Sequence, residues 1–145
     1  FIFDLHEDRG PLGGLHAALA YARTQWIFVL ACDYPFVSAN LISSMAEKIS
    51  DEYSVVVPRQ SDGRLQPLCA FYNVQRVQPL VEEILLSQRP SPPLYEIVTR
   101  LNPLIISPDE LSDDLDPFTN INDAQDLERA KKTERDLLER PTGER

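Results

Sequence analysis

Positive charge is in short supply in this chain: 14 Lys and Arg stand against 23 Asp and Glu, a formal net charge of −9. A surface of that sign excludes nonspecific binding to nucleic acid or to an anionic membrane, both of which select basic proteins. It leaves open a nucleotide ligand, which backbone amides, a metal ion and a few local charges can hold. Long apolar runs are also missing, and none approaches the roughly 20 residues that span a bilayer. The opening FIFDLHEDRG turns acidic at once, unlike a secretory leader, so a cytoplasmic location is expected. Cysteine is scarce. Cys32 and Cys69 lie in apolar stretches at a spacing that fits no zinc motif, and both are expected to be buried thiols in a reducing compartment. His6 and His16 are too far apart to form a metal pair, and no Ser-His-Asp or Cys-His arrangement stands out. Internal repeats and low-complexity tracts are absent.

What is present is an alternation of strand and helix signals in a 145-residue chain, enough for one domain with one sizeable core. Phe1 to Phe3 is strand-like, and FIFD reads as the end of a strand whose beginning is cut off, so a fragment of a longer domain is expected.

 The run WIFVLAC is short, apolar and aromatic-rich, as expected for a strand buried on both faces. GPLGGLHAALAYARTQ before it starts with glycines and carries Leu15, Ala18, Leu19 and Ala22 at helical spacing. SANLISSMAEKIS predicts a helix capped by Ser38 with a stripe of Leu41, Ile42, Met45 and Ile49. YSVVVPR and PLCAFYN predict strands joined through a DGRL turn, and VQPLVEEILLSQ predicts a helix. RPSPPLYEIVTRL combines a Pro-rich break with a short helix, and the strand PLIIS, an acidic loop and a charged helix from NDAQDL onward follow. This pattern implies an α/β domain with a mainly parallel sheet flanked by helices.

Ligands of such sheets bind beyond the carboxyl ends of the strands, where counting places Asp4 and Asp33. Asp33 suits a hard cation, since Mg²⁺ accepts carboxylate oxygen and keeps waters and substrate phosphates as its other ligands. It equally suits the start of a turn ahead of Pro35. Gly10, Gly13 and Gly14 at a helix start permit close approach of an anionic ligand, and they equally serve a tight strand-to-helix turn. Asn120 and Asn122 alternate along an extended segment and so share one side, while either of them or Asp123 could cap the following helix.

Taken together, GPLGGL, WIFVLACDYPFVSANLI, QPLCAFYN and FTNINDAQDL resemble the MobA family of molybdenum cofactor guanylyltransferases in order and spacing. The resemblance implies a Rossmann-like nucleotidyltransferase fold over residues 1–145, an Mg²⁺ cofactor, and GTP and molybdopterin as substrates, with transient contact to molybdenum-enzyme maturation proteins. It also implies roles by position. Asp33 matches the magnesium-binding and catalytic aspartate. Asp4, Gly10 and Gly14 join it around the nucleotide, and Asn120 and Asn122 fall on the acceptor side. The family's LAGGxSxRMGxDK loop is absent and would precede Phe1, so the chain alone is expected to be weakly active or inactive. A sibling cytidylyltransferase, which usually shows DQP where this chain has DYP, and a noncatalytic nucleotide-binding homologue stay open as alternatives.

Overall fold

The computed structural model describes residues 10–34, 37–87, 90–107 and 110. Eight elements follow one another: α1 (Pro11–Tyr21), β1 (Trp26–Leu30), α2 (Ala39–Ala46), β2 (Val55–Pro58), β3 (Cys69–Asn73), α3 (Val74–Leu86), α4 (Leu94–Thr99) and β4 (Pro103–Ile106). The strands form one sheet in the order β1-β3-β2-β4. β2 and β4 pair in parallel, whereas β3 is antiparallel to both β1 and β2. Three of the four described strands therefore point the same way, and β3 is inserted among them in reverse. The α/β class and the shared strand direction agree with the sequence pattern. The reversal of β3 does not follow from it.

That reversal begins in the connection after β2. Asp62 accepts a hydrogen bond from the Arg64 amide at 3.0 Å, and Gly63 adopts a φ of 89°. Positive φ is the region that favours glycine, so the DGR tripeptide turns the chain back sharply. The Gln60 amide then bonds the Arg64 carbonyl at 2.8 Å, and the chain returns beside β2. An apolar run with period two cannot say which way its strand points, but a short turn can.

Alternation across the sheet builds two cores. Val55, Val57, Ala70 and Tyr72 face one side, where Leu12, Leu15 and Leu19 of α1, Val77 and Val81 of α3, and Ile97 and Val98 of α4 cover them. Val56, Cys69, Phe71 and Ile106 face the other, against Leu41 and Met45 of α2. Fully burying an aliphatic side chain of this kind contributes about 1.5–3 kcal/mol. Phe28 and Phe71 lie opposite each other in the β1–β3 ladder, with ring centroids 4.7 Å apart. A pair in that geometry adds about 0.5–1.5 kcal/mol beyond its buried area.

Several expectations need correction. β1 is not buried on both faces: it is the edge of the described sheet, Trp26 to Val29 are half-buried, and Leu30 is exposed. Cys32 is exposed as well, because the strand has already ended and the thiol falls in the turn beyond it. α3 begins at Val74, three residues ahead of the expected start at Val77. The cause is Asn73, whose side chain accepts from the Arg76 amide at 3.2 Å and caps the helix directly at the end of β3. Pro79 consequently lies inside the helix rather than in its first turn. Ser38 caps α2 as expected, accepting from the Leu41 amide at 3.0 Å. Among the described residues, no helix is long and apolar enough to cross a membrane.

Two measurements test this packing. Asn73→Ala should lower the unfolding free energy by about 1 kcal/mol, read from urea denaturation, through loss of the hydrogen bond that caps α3. The two thiols should also separate cleanly. Burial pushes the Cys69 thiol up to about 12, so it stays protonated and inaccessible, whereas Cys32 is open to solvent. A disulfide reagent at pH 8 should titrate one thiol in the native protein and both in guanidinium.

Candidate functional site

A cavity of about 490 Å³ opens beside the start of α1. Pro11 and Leu12 line it from α1, Tyr34 from the turn after β1, and Leu65, Pro67 and Leu68 from the segment leading into β3. Residues 91–95, ahead of and within α4, close the remaining side. The fold thus brings two of the sequence-predicted motifs, GPLGGL and CDYPF, to one place. A third, QPLCAFYN, contributes its first residues to the same wall.

The predicted residues themselves stand beside the lining rather than in it. Gly10 immediately precedes Pro11 and is the N-cap of α1, with φ 53° and ψ −141°. An added Cβ there would meet nothing within 4 Å, so what requires glycine is backbone conformation and not crowding. Gly14 lies one turn on and is exposed. Pro11 has no N–H, and the amides of Gly13 and Gly14 turn to the Gly10 carbonyl at 3.0 and 3.4 Å. Attraction of an anion to this end of α1 therefore falls more on the helix dipole than on those two amides.

Asp33 is half-buried in the turn that follows β1, directly before Tyr34. The turn is tied to its surroundings at two points. The Ala31 amide donates to the Leu68 carbonyl at 2.8 Å, and the Tyr34 hydroxyl donates to Gln66 Oε1 at 2.7 Å. Desolvation raises the Tyr34 phenol above its ordinary value, and the neighbouring Asp33 charge raises it further, so it remains a protonated donor at neutral pH. No group of three or more His, Cys, Asp or Glu side chains suited to a metal gathers among the described residues. A single carboxylate oxygen donor such as Asp33 fits a hard cation that completes its shell with water and phosphate oxygens.

Asp4, Asn120 and Asn122 lie outside the described residues. The sequence pattern did not single out Gln60 and Gln66, and it read residues 91–95 as part of a Pro-rich break and short helix with no role in a site. The available signal was QPL itself, since a glutamine ahead of Pro and Leu at the start of a buried strand has no solvent to satisfy its amide. Tyr34 packs against the core on the α2 side of the sheet and also walls the cavity.

Comparisons with known proteins identify the family of the chain. The chain is 35% identical over 131 residues to the molybdenum cofactor guanylyltransferase of Desulfosudis oleivorans, covering 88% of this chain and 63% of that relative's length. Its fold matches the crystal structure of molybdopterin-guanine dinucleotide biosynthesis protein A from Archaeoglobus fulgidus with a TM-score of 0.74 and 27% identity, over 94% of this chain and 68% of that one. It also matches 2-C-methyl-D-erythritol 4-phosphate cytidylyltransferase from Thermus thermophilus with a TM-score of 0.61 over 86% and 69% of the two chains, a likeness at 14% identity that concerns the fold alone. The MobA-like NTP transferase domain profile matches residues 1–101. The chain belongs to the MobA-like NTP transferase domain family.

Proposed function

We propose that the full-length protein transfers GMP from GTP to the terminal phosphate of molybdopterin and releases pyrophosphate. The observation that carries the proposal is the cavity that joins the start of α1 to the Asp33–Tyr34 turn. Family membership and the name of the Desulfosudis oleivorans relative support it. In this reading residues 1–145 form one nucleotidyltransferase unit.

The reaction is an in-line displacement at the α-phosphorus of GTP. An oxygen of the acceptor phosphate forms the new P–O bond while the bond to pyrophosphate breaks, so no covalent enzyme intermediate is required. The protein's contribution is positioning and compensation of charge. Asp33 would hold Mg²⁺, which when bound supplies neutralisation of the phosphate oxygens. Asp4, Gly10 and Gly14 would flank the nucleotide, the glycines by letting it approach the start of α1. Asn120 and Asn122 would serve the acceptor.

Two variants of the full-length protein test these roles. Asp33→Asn should keep the fold and lower turnover by about 10²-fold, the loss typical of a key electrostatic group. Near-normal turnover at saturating Mg²⁺ would remove Asp33 from the site. Asn122→Ala should weaken pterin use by about one to two decades while sparing GTP binding, as expected for a lost hydrogen bond to a charged group. If thermal unfolding falls instead by about 1 kcal/mol with unchanged pterin kinetics, Asn122 is a helix cap and not an acceptor ligand.

A further inference from the structure

We infer that Gln66 is a positioning residue for the Asp33–Tyr34 turn: its carboxamide holds the Tyr34 phenol in the cavity wall and so fixes the adjoining carboxylate. The inference rests on the proposed nucleotidyl transfer for its functional consequence, but the physical tie stands on contacts of its own.

Buried polar side chains among the described residues are His16, Gln66 and Asn73. Asn73 caps α3, which accounts for it. His16 packs between α1 and α3, with Nε2 3.8 Å from a Glu82 carboxylate oxygen. Gln66 does neither. It caps no helix and belongs to no strand, yet both ends of its amide are engaged. Oε1 accepts from the Tyr34 hydroxyl at 2.7 Å, and Nε2 donates to Gln60 Oε1. Its backbone is pinned too, the amide donating to the Pro58 carbonyl at 3.0 Å and the carbonyl accepting from the Cys69 amide at 3.0 Å.

Those contacts join three segments: the turn after β1, the end of β2 with the turn that follows, and the approach to β3. Methionine would fill the same space without them. Only a group that accepts and donates at once can orient the phenol and still leave its own buried amide satisfied. Gln66 ties the Tyr34 end of the turn, and Leu68, two residues on, ties the Ala31 end through its carbonyl. Asp33 sits between the two anchors, so a shift of this clamp moves its carboxylate relative to whatever occupies the cavity. Misplacement on the scale of an ångström is enough to slow a positioned reaction severely.

The test uses the full-length protein with Tyr34→Phe, Gln66→Met and the double variant, followed by guanylyl transfer kinetics, hydrogen exchange at residues 31–34 and thermal unfolding. Each single variant should lower kcat about tenfold, and the double variant by the same factor, because both break one link. KM for GTP should stay within about twofold, as a positioning loss acts on the reacting geometry rather than on uniform binding. Amides of residues 31–34 should exchange faster in both single variants. Unchanged kcat with a lowered melting temperature would overturn the inference and leave a structural tether. Multiplying losses in the double variant would also overturn it, since the two side chains would then act separately. If wild-type protein transfers no guanylyl group while exchange at 31–34 still rises in both variants, the proposed function fails and the tie between Gln66 and the turn stands.

Discussion

Every residue of β3 from Cys69 to Asn73 is buried, and the strand hydrogen-bonds to β1 on one side and β2 on the other. Both cores meet on it. Ala70 and Tyr72 face α1, α3 and α4, while Cys69 and Phe71 face α2. A strand enclosed on two faces and two edges has no water to satisfy its backbone, so its ladders must be complete. Its ends are held as firmly as its middle. Tyr72 donates its hydroxyl to the Pro67 carbonyl at 2.6 Å, and Asn73 opens α3 without an intervening loop.

The candidate site depends on that strand. Leu65, Pro67 and Leu68, on the segment running into β3, form one wall of the cavity, and the Leu68 carbonyl and the Gln66 side chain reach across to the turn after β1. Because β3 runs against its neighbours, its amino end lies beside the carboxyl end of β1. A reversed strand thereby places a rigid approach segment next to Asp33, where another parallel strand would place its far end. For the proposed nucleotidyl transfer such rigidity would have a chemical use, since that reaction is governed by how well the reacting oxygens and their counter-charges are held.

α1 shows the same coupling from the opposite direction. Leu12, Leu15 and Leu19 seat the helix on the sheet, and its α3-facing side is closed by Val77 and Val81. That docking along the helix fixes where it begins, so Pro11 is brought to the cavity, with Gly10 just ahead of it, by the packing of the helix's apolar side. Gly10 must then turn the chain into the helix at a positive φ, which its lack of a side chain permits.

Local pattern located all eight described elements, with the start of α3 placed three residues late, because period 2, period 3.6 and Pro or Gly breaks are local properties of the chain. It also placed Asp33 beyond a strand and Ser38 at a cap. The direction of β3 was not legible, since an alternating run reads the same in both senses and depends on the turn after β2. Nor was the half-exposure of β1, because seven apolar residues look alike at the centre of a sheet and at the edge of the described one. The grouping of GPLGGL, the Asp33–Tyr34 turn and QPL around one cavity needed residues more than 20 positions apart to meet. The QPL context marks Gln66 as a buried amide but not its partner, since Tyr34 is 32 residues away. Chain-local chemistry determined the elements and the candidate carboxylate. Tertiary packing decided which loops converge, because only the pairing of β3 with β1 and β2 brings those loops within hydrogen-bonding distance.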